Sequence, residues 1–254
     1  MRNMELNLKE KRAVVTGGAS GLCYTVAKAF YDAGADVLLA DRDSGVKESA
    51  ESMETDRKVK CLNCDLSNLD SLSGVYREML EKLDGRIDIL FNGAGVQYRC
   101  SAASFPMDRW KMIMDVNLNA VFMLSQMAGN TMLEQRYGKI INMASMTSFF
   151  GSEMIPAYAA SKGAVAQLTK ALSNEWASKG INVNAIAPGY METKLTSDMK
   201  EKNPEQYHEI TNRIPMKRWG KPEDLSGLAV FLASDLSSYI SGAVIPADGG
   251  YLGK

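Results

Sequence analysis

A chain of 254 residues, 46% hydrophobic and 23% charged, suits one large α/β domain or two small ones and can bury a sizeable core. Its 29 lysines and arginines against 30 aspartates and glutamates leave a net charge of -1, which argues against nucleic-acid or anionic-membrane partners. The opening Met1-Arg2-Asn3-Met4-Glu5-Leu6-Asn7-Leu8 carries charge where a signal peptide needs an apolar run, and no stretch approaches the ~18 apolar residues of a membrane span, so a cytoplasmic protein is expected.

Arg12-Ala13-Val14-Val15 predicts a strand, and Thr16-Gly17-Gly18-Ala19-Ser20-Gly21-Leu22-Cys23 predicts a glycine-rich turn feeding a helix that runs to about Gly34. Strand, turn and helix in this order make a phosphate-binding crossover. Asp36 to Ala40 is the next strand, closing with Asp41. From Gly21 to Asp41 is 41 − 21 = 20 residues, the spacing at which a carboxylate reaches the adenosine ribose of a dinucleotide. That carboxylate repels a 2′-phosphate, so NAD is expected over NADP, although Arg42 softens the repulsion.

A third strand spans Val59 to Asn63. Cys61 and Cys64 have the spacing of half a zinc site or a redox pair, but no second pair follows and the chain has a single histidine, His208. No metal is expected, and the pair is better read as small residues ending a buried strand. Asp65 either touches an adenine or caps a helix starting near Asn68. Ile87 to Phe91 is the fourth strand, and the glycines of Asn92-Gly93-Ala94-Gly95 permit close approach of a ligand or simply a tight turn.

A helix from about Asp108 to Leu133 buries Trp110, Ile113, Val121, Leu124 and Ala128. Asn117 falls on that stripe, where it either braces neighbouring backbone or holds a water. Lys139 to Ala144 is a strand ending at Ser145. A helix then opens near Tyr158 and continues with Val165, Leu168, Leu172 and Trp176 on one side. Tyr158 and Lys162, four apart, project to that same side. An inward lysine either snorkels its ammonium into water or serves as a fixed cation that lowers the phenol's pKa for proton transfer. A serine at the strand end would hold a substrate oxygen, and the lone histidine argues against a histidine base.

Ile181 to Ala187 forms a sixth strand before Pro188-Gly189. Residues 190 to 218 are polar and mixed, and read as a short helical substrate lid. Pro222 to Ala233 is a final helix and Val244 to Ala247 a last strand. Strands alternate with helices without repeats or linkers, which predicts an α/β fold: a single domain, 1–254, with a doubly wound, mainly parallel Rossmann-type sheet and its site at the carboxyl ends of the strands.

With these residues in order, the chain resembles the short-chain dehydrogenase/reductase family over essentially its whole length. The resemblance rests on the first glycine turn, Asn92-Gly93-Ala94-Gly95, Asn117, Ser145, Tyr158 with Lys162, and Pro188-Gly189 with Thr193. It implies that Tyr158 is the general acid/base, that Ser145 steadies the substrate oxygen, that Lys162 binds ribose and lowers the tyrosine pKa, and that Asn117 holds a relay water. It further implies that Gly17 and Gly21 approach a pyrophosphate, Asp41 binds ribose, Asp65 and Asn92 frame the adenosine, and Thr193 meets the nicotinamide carboxamide. Ser20, Leu22, Gly93, Pro188 and Gly189 complete the expected cofactor contacts. The implied reaction is hydride transfer between a secondary alcohol and NAD without a metal, and the implied assembly is a homotetramer.

Two positions depart from the family pattern. Cys23 stands where a third glycine is usual, and is expected to crowd the turn and weaken cofactor binding. Gly93 stands where a second asparagine is usual, at an expected cost to local order. These departures also motivate an alternative of another class, a dinucleotide-binding sensor or scaffold without turnover.

Within the family the resemblance is to bacterial sugar-acid members, the 2-deoxygluconate and 2-keto-3-deoxygluconate dehydrogenases and gluconate 5-dehydrogenase. It is carried by Gly138 to Met146, Asn174 to Ala177, Ala187 to Met191, Arg218-Trp219-Gly220 and Asp224-Leu225. A sugar acid needs a cation for its carboxylate, and Arg99, Arg213 and Arg218 are the candidates, with Gln97 beside them in sequence. Phe149, Phe150, Met154 and Met191 instead suit an apolar alcohol such as a steroid, or plain core packing.

Overall fold

Strands β1 (Arg12–Thr16), β2 (Asp36–Asp41), β4 (Ile89–Asn92), β5 (Gly138–Met143) and β6 (Ile181–Pro188) are almost wholly buried. Near-continuous apolar runs of this kind belong to parallel strands covered on both faces. The computed structural model describes residues 6–193 and 200–253. With β3 (Lys60–Asn63) and β7 (Val244–Ala247) these strands form one seven-stranded parallel sheet in the order β3-β2-β1-β4-β5-β6-β7.

Successive side chains of each strand feed opposite layers. Val15, Leu39, Phe91 and Ile141 pack with helix α1 (Gly21–Asp32), where Phe30 meets Phe91 edge-on at 6.1 Å, and with the helix Ser226–Ala233. Val14, Leu38, Leu90 and Ile140 pack with Leu72 and Met79 of α3 (Leu72–Lys82), Leu124 and Ala128 of α5 (Ala120–Gln135), and Trp176 of α6 (Pro156–Trp176). Helices on both faces make the doubly wound architecture expected from the strand–helix alternation.

The chain leaves β1 outward to β2 and β3, then returns to the other side of β1 as β4. Two neighbouring crossovers therefore diverge at the carboxyl ends of β1 and β4, opening a crevice there. Parallel register sets Thr16 against Asn92, and Asn92 against Asn142.

The expected helix from Asp108 to Leu133 is broken. After α2 (Val46–Met53) and α3, helix α4 (Met107–Met114) passes into a π-helical turn, Asp115–Asn119, before α5. The inward positions Ile113, Asn117 and Val121 are four apart, a spacing that suits the wider π turn as well as an α-helix, so periodicity alone reads straight through it. Trp110 is half-buried rather than buried. Of the expected lid, residues 194–199 lie outside the described residues. Its described part includes the helix Pro204–Arg213, started by the Asn203 side chain accepting from Gln206 N at 3.3 Å.

Candidate active site

The first turn and the turn after β4 touch each other. Gly17, at φ +73°, would place a β-carbon 2.9 Å from Ala94 Cα, so only glycine fits. Thr16 Oγ1 accepts from Gly93 N (3.0 Å) and Ala94 N (3.2 Å), pinning the second turn to the end of β1. Gly21, at φ +62°, faces open space at the start of α1, and neither the Ser20 side chain nor an acidic residue caps that helix. An uncapped helix N-terminus with a close-approach glycine turn before it forms a cradle with the geometry and dipole that suit a phosphate group.

Asp41 is held at the rim of that cradle. Its Oδ2 accepts from Ala19 N and its Oδ1 from Asp43 N, each at 3.0 Å. Asp65 turns back on its own loop instead of capping the next helix: one oxygen accepts from Ser67 N (2.9 Å) and Ser67 Oγ (2.8 Å), which lowers its pKa. The Cys64 thiol is pushed up to about 11, first by burial and then by Asp41, Asp65 and Glu78, so at neutral pH it stands as the neutral thiol.

Asn92 lies deeper than its expected place beside the adenosine. It is buried, and its Nδ2 donates to Ser125 Oγ (3.0 Å) and Asn142 Oδ1 (2.9 Å), while Asn142 donates in turn to Thr169 Oγ1 (2.9 Å). This polar belt ties β4 and β5 to α5 and α6 directly beneath the crevice. Among the described residues, Asn92 Oδ1 and Thr147 Oγ1 are the buried side-chain polar atoms without a hydrogen-bond partner.

Helix α6 opens two residues before Tyr158, with Pro156 at its first position. Lys162 is 3% exposed and its Nζ donates to Met143 O at 2.6 Å, which rules out snorkelling. The ammonium sits 5.7 Å from the centroid of the Tyr158 ring. Burial pushes Lys162 down to about 8, against the pull of Cys23. The Tyr158 phenol is raised by burial and lowered only by the Ser145 hydroxyl beside it. The expected lowering by Lys162 is thus outweighed: the ammonium is aimed at the end of β5, and desolvation of the phenol dominates.

Ser145 leaves β5 in extended conformation, its Oγ accepting from Thr147 N at 3.2 Å, and Ser148 Oγ donates to Lys162 O at 2.6 Å. The loop bearing Ser145 is therefore tied to the helix bearing Tyr158 and Lys162. Asn117, in the π turn and fully buried, accepts from Val96 N (2.8 Å) and donates to Val96 O (2.9 Å) and Ser161 Oγ (3.1 Å). Its side chain braces the turn after β4 against α6, with no amide hydrogen left for a water. A β-carbon on Gly95 would lie 3.5 Å from Asn117 Oδ1 and 3.6 Å from Lys162 Nζ, which joins the two turns to the Tyr158 group in one site. Pro188 and Gly189 close the other side, where Gly189 would place a β-carbon 2.8 Å from Asp248 Cα, with Thr193 half-buried just beyond.

The expected substrate residues divide. Cys100 N donates to Met154 O (2.7 Å), which brings the Arg99 segment against the loop that carries Phe149 and Met154, themselves 50% and 44% exposed. Arg213 lies with its guanidinium carbon 5.0 Å from the Tyr251 ring centroid. Arg218 is committed elsewhere, forked onto Asp224 at 2.6 and 3.0 Å, which holds that carboxyl down to about 2. Gln97 is exposed, and among the described residues no hydrogen bond joins it to the others. Met191 is buried as core packing. Sequence reasoning missed Thr16, Asn142 and Tyr251. The first two are polar residues in apolar strands, a signal that was present, whereas Tyr251 had none.

Residues 17–252 match a family model described as enoyl-(acyl carrier protein) reductase. A 2-dehydro-3-deoxy-D-gluconate 5-dehydrogenase of Bacillus subtilis is 42% identical over 249 residues, covering 98% of this chain and 97% of the relative. A crystal structure of a candidate NAD(P)-dependent gluconate 5-dehydrogenase from Beutenbergia cavernae, with NADP bound at low occupancy, superposes with a TM-score of 0.93 at 42% identity, covering 98% of this chain and 99% of its own. A short-chain type dehydrogenase/reductase from Mycobacterium marinum superposes with a TM-score of 0.89 at 35% identity, covering 97% of each chain.

Proposed function

The chain belongs to the short-chain dehydrogenase/reductase family of nicotinamide-dinucleotide oxidoreductases, and from that premise we propose that it oxidises a sugar acid of the gluconate or deoxygluconate type, with NAD as its preferred cofactor. The observation that carries the chemistry is the grouping of half-buried Tyr158 with buried Ser145 and Lys162 beside the Gly95 turn. A nicotinamide dinucleotide, when bound, supplies the hydride acceptor. Gly17, Ser20, Gly21 and Leu22 would hold its pyrophosphate, Asp41 and Lys162 its riboses, and Asp65 and Gly93 the adenosine side, with Asn92 bracing the floor beneath from its buried place. Pro188, Gly189 and Thr193 would hold the nicotinamide side.

Tyr158 takes the alcohol proton in oxidation and returns it in reduction, while Ser145 steadies the substrate oxygen. Raised by burial, the phenol is protonated in the free chain; this is the acid form that reduction of a ketone requires, and for oxidation the phenol must first release that proton to solvent before it takes the alcohol's. Lys162 keeps a positive charge in reserve beside it. If a relay water binds at Asn117, it does so at the main chain of the π turn, because the side chain is engaged.

Preference for NAD rests on Asp41. Both its oxygens are pinned by backbone amides, so the carboxylate does not swing away from a 2′-phosphate. The Beutenbergia structure carries NADP, so the preference needs its own measurement. Among the described residues no helix is long and apolar enough to cross a membrane; a cytoplasmic location is proposed from the likeness to the Bacillus subtilis sugar-acid dehydrogenase. The half-exposed edge strand Val244–Ala247, with the following turn, supports a homotetramer; sedimentation as a monomer alone would remove that assignment.

The test is reduced-cofactor formation over a panel of sugar acids, neutral polyols and hydroxysteroids, with NAD and NADP in parallel. Turnover of sugar acids with NAD supports the proposal; turnover of steroids alone overturns the substrate, and tight NAD binding without turnover of any alcohol favours a sensor.

A further inference from the structure

The C-terminal turn is built to dock against the end of the helix Pro204–Arg213. Asp248 gathers it, accepting from Gly250 N and Leu252 N at 2.9 Å each. Gly249 and Gly250 have φ of +64° and +88°, and β-carbons there would lie 2.8 Å from Ile214 Cγ2 and 3.0 Å from Pro215 Cγ. Met216 N donates to Gly249 O at 3.1 Å. Two adjacent glycines that admit no side chain press this turn onto the residues directly following Arg213.

That docking delivers Tyr251 to a junction of three segments. Its ring stacks on Phe150, in the loop after Ser145, at 6.0 Å and 30°, and meets Tyr190, just after Pro188-Gly189, at 5.6 Å. Its face carries the Arg213 guanidinium at 5.0 Å. The Tyr190 phenol there is pushed up first by burial and by Tyr251, and pulled down by Arg213 and Arg99, so both arginines project positive charge onto one spot. Among the described residues no carboxylate pairs with Arg213, in contrast to Arg218. A guanidinium held over an aromatic face and without a carboxylate partner keeps N–H groups available to a planar anion.

We propose that Tyr251 is a positioning residue that holds Arg213, with Tyr190 alongside, as the recognition site for the substrate carboxylate. This rests on the sugar-acid reading. It makes the C-terminal turn, rather than the catalytic loop, the element that selects an acid over a neutral alcohol.

The experiment is steady-state kinetics of Tyr251→Leu, Tyr251→Phe and Arg213→Ala with a sugar acid and with the polyol in which a hydroxymethyl replaces the carboxylate. Expected for Tyr251→Leu and Arg213→Ala is a rise in KM for the acid of about 10-fold, a change in kcat below about 3-fold, and a fall of about 10-fold in the preference for acid over polyol. Tyr251→Phe, which keeps the ring face, should lose less, and the Leu/Ala double variant should be no worse than Arg213→Ala alone. Equal losses on acid and polyol, or a kcat effect alone, would show a merely structural role and overturn the proposal. If Tyr251→Leu does not fold, the other two variants carry the test. If the wild-type enzyme oxidises no sugar acid, the sugar-acid reading fails by itself, and the site is then tested by gluconate as a competitive inhibitor of whichever alcohol is oxidised. A Ki about 10-fold weaker in Arg213→Ala and Tyr251→Leu supports it, and absence of inhibition in the wild type overturns it.

Discussion

The thiol of Cys23 fills the position that a β-carbon on residue 93 would need. The two departures from the family pattern are thus one feature: a side chain lost after β4 is replaced, in the same volume, by a side chain gained on α1. Cys23 therefore does not simply crowd the turn, nor does Gly93 simply loosen it, and the main motive for a degenerate, non-catalytic binder falls away. The thiol is buried and pushed up to about 12, so it acts as a small apolar filler.

The pair predicts non-additive stability. Gly93→Ala should cost about 1–3 kcal/mol, since its methyl would meet the Cys23 sulfur as well as Phe91 Cε1 at 2.8 Å and Thr16 O at 2.9 Å. Cys23→Ala should cost about 1 kcal/mol as lost packing. In the double variant part of the Gly93→Ala cost should vanish, a coupling of about 1 kcal/mol measurable by urea denaturation. Costs that add within about 0.5 kcal/mol would separate the two residues again.

Tyr158→Phe removes the proton-transfer group and leaves the ring, the Lys162 to Met143 bond and the Ser145 loop in place. Turnover should fall at least ~100-fold while cofactor binding changes little. Stopped-flow hydride transfer and cofactor titration read the two effects separately; wild-type turnover in this variant would sink the mechanism.

Asp41→Ser should shift the kcat/KM ratio toward NADP by about 10-fold or more, because it removes the charge at the rim of the pyrophosphate cradle and leaves Arg42 beside it. An unchanged ratio would mean that Asp41 does not face the 2′ position.

Much of this molecule was legible in its sequence, for identifiable reasons. Buried parallel strands are unbroken apolar runs, and the Tyr158–Lys162 spacing puts both groups on the inward face of α6 whatever the tertiary details. The π turn at Asn117 was hidden because it barely disturbs the apolar stripe. Distant pairings were equally hidden. Nothing near Cys23 points to Gly93, and nothing near Tyr251 points to Arg213, because the first contact is made by the pairing of β1 with β4 and the second by the C-terminal turn docking on the end of the helix Pro204–Arg213. The expected lowering of the Tyr158 pKa assumed a lysine aimed at the phenol, whereas its ammonium donates a hydrogen bond to the Met143 carbonyl.

At the amino end of the sheet, remote from Tyr158, Lys139 is a second buried lysine. It is 2% exposed and donates to Asn182 Oδ1 (2.8 Å) and Ser237 Oγ (3.4 Å). Burial pushes its ammonium from the ordinary 10.5 down to about 8; Asp235 opposes this and Lys11 adds to it. Between those two values the unfolded chain still binds a proton that the folded chain has shed, so stability rises with pH across that window. Below it both states are protonated and the fold bears the full cost of a buried charge. Lys139→Met removes this titration, while Lys162 and the buried phenols titrate alike in both proteins and cancel in the comparison. The gain in unfolding free energy from pH 7.5 to 10.5 should therefore be larger in the wild type than in the variant by about 1–3 kcal/mol. Urea denaturation at the two pH values measures it, and identical pH dependence in both proteins would show that Lys139 keeps its proton throughout.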